Sequence, residues 1–195
     1  MTHTLHRIGI EKDLKRDYVI LAMLAAGVND NYDDSRAKMI KIGEILNEHN
    51  PINIMSEIGW KTSPTITAAY GDIETVKKII QILKEEDLGI SIVISGLISE
   101  IEKVLKEVGL DVHTVHFSLS FHGKKELLPQ KKILEITTMC GHHTVSPQSI
   151  THYVDLIKRG KTTVEKAANK LTRPCVCGII NTSRIIEILA TLVEE

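Results

Sequence analysis

Aromatic side chains are scarce in this chain: two Phe, one Trp and four Tyr, or 4% of 195 residues. A core must therefore be built from Ile, Leu, Val and Ala, and the stacking platforms on which single-stranded nucleic acids lie are missing. Charge of one sign is lacking too. The 24 Lys and Arg balance 25 Asp and Glu, for a net charge of −1, and no basic run stands out, which argues against nucleic acid as a partner. No apolar run approaches the length of a membrane span, so no membrane association is expected. The N-terminal residues lack the hydrophobic region of a signal peptide, and the expected location is the cytoplasm, where thiols stay reduced. Cysteine is rare: three residues, an odd number that does not make a disulfide framework.

All three cysteines fall in one stretch. Cys140-Gly141-His142-His143 comes first, and Pro174-Cys175-Val176-Cys177-Gly178 follows it. Each cluster is a loop running into a predicted helix. Ser146-Pro147 marks the first helix start, and Asn181-Thr182-Ser183 the second. A helix N-terminus favours the thiolate, the form that binds metals. Gly141 and Gly178 let the backbone close around a ligand, and Asn181 adds a polar group beside it.

Cys140, Cys175 and Cys177 are therefore the expected metal ligands, and an iron–sulfur cluster is the leading cofactor, held by three thiolates with one iron open, by a histidine, or across a dimer interface. A mononuclear zinc or iron ion is the alternative, with His142 or His143 completing a four-ligand set. The one-residue gap in Cys-Val-Cys is too short for a standard zinc ribbon, and softer sets also suit copper(I). A third reading makes Cys140 a nucleophile with His142 or His143 as base. The plainest reading is that the cysteines are packed as small hydrophobes.

The rest of the chain reads as alternating strands and helices. Strands are expected over residues 17–24, 51–55, 90–96, 111–119 and 131–138. Helices are expected from 33 to about 47, from Asp72 to Gly89 and from Leu97 to Gly109. Residues 57–70 have no clear period and read as a loop. This pattern predicts an α/β domain over residues 1–138, with a mostly parallel sheet of about five strands flanked by helices. A helical portion over 139–195, carrying the cysteine clusters, would pack on it. Its helices are expected after Pro147, after a Thr162–Glu165 capping box, and after Asn181.

Other polar groups are candidates of lower rank. His113, on the strand expected at 111–119, shares a face with Val115, Phe117 and Leu119 and reads as a core histidine. His116 shares a more polar face and reads as a site member, and His122 as a solvated loop residue. Asn29, Asp30, Asp33 and Asp34 follow the first strand, where α/β sheets gather ligand groups such as magnesium or a ribose. Ser95-Gly96 could hold a phosphate or carboxylate, and Arg184 an anion. His3 and His6, with Arg7, sit near a terminus that reads as surface. No glycine-rich nucleotide fingerprint is present.

Together these features predict a cytoplasmic metal- or iron–sulfur-dependent protein, an enzyme acting on a small anionic metabolite with His142 or His143 as acid/base; a homo-oligomer is compatible with them. A metal- or cofactor-delivery protein without its own catalysis is the alternative.

Overall fold

The computed structural model describes residues 7–195. They divide into two compact units. The sheet unit comprises Glu11–Val115 together with Val176–Ile179. The helical unit comprises His116–Cys175 and Ile180–Glu195, with the described N-terminal residues up to Ile10.

The sheet unit runs α1 (Glu11–Leu14), β1 (Tyr18–Met23), α2 (Tyr32–Glu48), β2 (Asn53–Ile54), α3 (Glu57–Thr62), β3 (Thr65–Tyr70), α4 (Ile73–Glu86), β4 (Ser91–Ser95) and α5 (Ile98–Glu107). Among the described residues the strands form one sheet of order β2-β3-β1-β4. Every pairing in it is antiparallel. The expected mostly parallel sheet of about five strands is thus overturned.

Two of the expected strands are not strands, and one unexpected segment is. Residues 57–70, read as a loop, hold α3 and β3. Helix–strand alternation implies parallel neighbours only when each helix crosses over to an adjacent strand. Here β1 pairs with β3 and β4 and not with β2, its successor in sequence. Residues 131–138, read as a strand, form α6 (Lys131–Thr137) of the helical unit. A short apolar run such as Ile133-Leu134-Glu135-Ile136 fits either period, and the helix buries Ile136, with Met139 buried just past its end. Residues 111–119 alternate like a strand but pair with nothing in the sheet.

The core of the sheet unit centres on β1. Tyr18 to Ala22 are all buried, as befits a strand flanked on both sides and covered by helix. From α2, Met39, Ile42, Ile45 and Leu46 face inward, and from α4, Val76, Ile79 and Ile80. Each helix starts on a side-chain cap. Asn31 Oδ1 accepts from Asp34 N, and Asp72 Oδ1 from Thr75 N at 2.7 Å. The α2 cap is Asn31, so the helix starts at Tyr32, one residue before the expected 33.

The helical unit runs from a single 3-10 turn (Lys125–Leu127) through α6 to α7 (Pro147–Lys158), α8 (Val164–Thr172) and α9 (Thr182–Glu194). Ser146 and Asn181 cap α7 and α9 as the sequence predicts. The α8 cap is Thr163, one residue past the expected Thr162. Helix α9 packs against α6, α7 and α8 and buries Ile185, Ile188, Leu189 and Leu192. That packing brings the ends of α6 and α8 together.

Candidate functional site

Two of the three cysteines meet in the helical unit. Cys140 follows α6, where a turn closes from His143 N to Cys140 O at 3.0 Å. Cys175 follows α8, where its own N–H donates to Thr172 O at 2.8 Å. Both are buried and reduced, Cys140 fully so. Their thiols share a hydrogen bond, and Thr144 Oγ1 donates to Cys140 Sγ at 3.2 Å.

This setting makes Cys140 a poor acid. Its thiol is pushed up to about 12, first by the hydrogen bond with the Cys175 thiol and then by burial. The Thr144 hydroxyl and backbone pull in the other direction without winning. A helix N-terminus lowers a thiol's pKa when the thiol faces it in partial exposure. Here desolvation and a neighbouring thiol outweigh that effect.

The imidazoles expected to serve this centre lie at its rim. His142 and His143 are exposed, and His143 adopts a left-handed backbone at φ 53°. Gly141, between Cys140 and the histidines, is half-buried. Asn181, expected to bind a cofactor, is buried and spends its Oδ1 on the α9 cap, accepting from Arg184 N at 2.9 Å.

Cys177 belongs to the sheet unit. Its carbonyl accepts a hydrogen bond from Thr67 Oγ1 on β3. Gly178 has φ +70°, and a Cβ there would sit 2.1 Å from the Ile54 carbonyl carbon and 2.3 Å from Met55 N. Gly178 is thus required where two backbones nearly touch. The expectation was a close approach to a ligand; the close approach is to β2. Among the described residues, no three His, Cys, Asp or Glu side chains gather as a metal-binding group.

Sequence reasoning missed the polar layer next to the thiols. Arg184 Nη2 donates to Glu135 Oε2 at 3.2 Å and to Ile8 O at 2.5 Å. Both members of the ion pair are buried. Arg7 Nη2 donates to Met139 O at 3.2 Å, and Ile8 N to Thr138 Oγ1 at 3.3 Å. The backbone immediately before Cys140 is therefore fastened by residues 7 and 8. Arg184 was read as a binder of anionic ligands, yet its guanidinium holds Glu135. The available signal was a carboxylate, Glu135, inside an otherwise apolar run.

The lower-ranked candidates serve the chain itself. Asn29 Oδ1 accepts from Ala25 N and Asp30 Oδ1 from Gly27 N, and Asn29 Nδ2 donates to Gly89 O. Asn29 and Asp30 are thus taken up within the chain, and the Asp34 carboxylate pairs with Lys38 Nζ at 2.7 Å. Gly96 passes close to the Tyr18 ring, which a Cβ would strike at 2.4 Å. His113, expected in a core, is exposed and bonded to Thr114 Oγ1 at 2.9 Å. His116 and His122 are also exposed. His3 and His6 lie outside the described residues. Among the described residues, no helix is long and apolar enough to cross a membrane.

Comparison with protein-family models, curated proteins and solved structures gives no match. The functional reading rests on the site's own chemistry.

Proposed function

We propose that the protein is a metal- or iron–sulfur-dependent enzyme acting on a small anionic metabolite, with Cys140 and Cys175 as the thiolate nucleus of its centre. The observation that carries this reading is the pair itself: two buried thiols, far apart in sequence, in hydrogen-bonding contact. In chemistry the pair fits a soft, thiophilic centre. In number it supplies two of the four ligands that such centres usually take. The other positions would go to sulfide, to the substrate, to a histidine of the exposed Cys-Gly-His-His turn, or to donors from a second copy. A bound centre would supply Lewis acidity toward a carboxylate or hydroxyl. His142 and His143 sit at the solvent side, where a proton can be exchanged with water.

Binding must displace the Cys140 proton, so affinity should rise steeply with pH. Anaerobic purification followed by assay of iron, zinc and acid-labile sulfide tests the proposal. Cys140→Ser and Cys175→Ser should each abolish metal content with the fold retained. Metal content unchanged in both variants, or none in the wild type after anaerobic reconstitution, sinks it.

The same hydrogen bond favours a second reading, a redox dithiol. A small-molecule disulfide would take up two electrons and two protons, leaving as two thiols, while Cys140 and Cys175 form one S–S bond. Loss of two hydrogens from the intact mass after such treatment, absent in Cys140→Ser, marks that outcome. The nucleophile reading fares worst, since a thiol held near 12 is almost all protonated at neutral pH.

A further inference from the structure

Among the described residues, strand β4 ends the sheet and pairs on one side only, with β1. Such an edge presents backbone N–H and C=O groups outward, and proteins that stay monomeric blunt it with charge, proline or a bulge. β4 has none of these. Its sequence is Ser91-Ile92-Val93-Ile94-Ser95, and its register with β1 is unbroken from Ser91 to Ser95. Among the described residues, Ile92, Val93 and Ile94 make no backbone hydrogen bond to any segment beyond β1. Val93 is 36% exposed. The opposite edge is treated differently: β2 has two residues, and Gly178 packs against the backbone where it ends.

The strand also reads the same in both directions. An isologous dimer requires each surface to complement itself across a two-fold axis. In an antiparallel pair, residues directly opposite share a face of the sheet. The axis of a continuous sheet must then pass through a residue position, and only Val93 leaves the whole strand overlapped. We propose that β4 pairs with β4 of a second copy, antiparallel and centred on Val93, so that one sheet runs through both copies.

In that register Val93 faces Val93, Ile92 faces Ile94 and Ser91 faces Ser95. Opposed β-branched residues stabilise such pairs, and no like charges meet. Centring on Ile92 would set Gly89 against Ser95, and centring on Ile94 would set Ile92 against Gly96; both lose packing. Five residues of pairing bury less than the roughly 1,600 Å² of a standard interface, so dimerisation should depend on concentration between about micromolar and millimolar. The inference concerns the sheet unit and stands apart from the thiol site.

Sedimentation of the full chain across that range tests it. The mass should rise from 21.8 kDa toward twice that value. Val93→Lys and Val93→Glu should each abolish the rise, because like charges then oppose at the axis, and mixing the two variants should restore it. Val93→Cys should cross-link into a covalent dimer under mild oxidation, whereas Ile92→Cys alone should not, since its partner is position 94. Far-UV circular dichroism checks that each variant is folded, and the cysteine variants serve if the charged ones unfold. A wild type that stays monomeric to about millimolar, charged variants that associate like wild type, or equal cross-linking at 92 and 93 would each overturn the proposal.

Discussion

Along β1 of the sheet unit five consecutive buried residues are apolar or aromatic, Tyr18 through Ala22, whereas the buried stretch leading to Cys140 in the helical unit reads Glu135, Ile136, Thr137, Thr138, Met139. Asn181 and Arg184 add to that polar interior from α9. The sheet unit buries little of this kind beyond Asp17, Ser35 and Thr67. A core of the first type gains from area removed from water. One of the second type gains little net energy from its ion pair, because desolvation offsets the attraction. What it gains is fixed geometry at the residues before the thiols. The polar interior of the helical unit is thus the costlier arrangement, and it lies where the candidate chemistry lies.

The sharpest way to break this contrast is to remove one partner of the buried pair. Glu135→Ala leaves the Arg184 charge buried beside the Ile8 carbonyl, and the urea midpoint should report a loss of about 3–5 kcal/mol. A loss under about 1 kcal/mol would mean that water reaches the pair, as at surface bridges, and that the helical interior is not dry. Next in size is Gly178→Ala in the sheet unit. Its positive φ and the Ile54 and Met55 backbone at 2.1–2.3 Å make a loss of about 3 kcal/mol the expectation. Gly160→Ala is the control: its φ is +67° with nothing within 4 Å, and about 1 kcal/mol should be lost.

Alkaline unfolding sharpens the comparison further. The folded chain holds the Cys140 proton up to about 12, against an ordinary value of 9.0. Between those values the folded state binds more protons than the unfolded one, so stability falls as pH rises. The full contribution is present below about 9, and about 1.4 kcal/mol is lost for each pH unit above it. Burial raises Tyr70 in the same direction, above its ordinary 10.0. Cys140→Ser should therefore flatten the profile between about 9 and 10 and leave the Tyr70 part, which thermal melts across pH would show. The smallest effect belongs to the Asp72 cap of α4. Asp72→Ala should cost about 1 kcal/mol, with no change in thiol titration.

Local signals were read well where they were local. The caps Asp72, Ser146 and Asn181 follow from short spacings, and the structure keeps them. Residues 131–138 fit either period, because they hold only three apolar positions, Ile133, Leu134 and Ile136. The alternating stretch at 111–119 has the composition of a strand without a partner in the sheet, and its Phe117 and Leu119 are exposed. At the candidate site, Cys140 and Cys175 were legible from residue type and loop position. Thr144, Glu135 and the hold of residues 7 and 8 on 138 and 139 were not, because each depends on a contact the spacing does not encode.

The amino-acid sequence by itself determined where α4, α7 and α9 start, and that all the thiols lie in two loop-to-helix junctions, since capping is settled within a few residues. Only the tertiary structure decided the direction and order of the strands, because pairing joins residues such as Val19 and Ser95 that no local rule relates. It likewise decided which thiols meet. Cys140 and Cys175 converge through the packing of α6 and α8 around α9, while Cys177, two residues along, follows its carbonyl and Gly178 into the sheet unit.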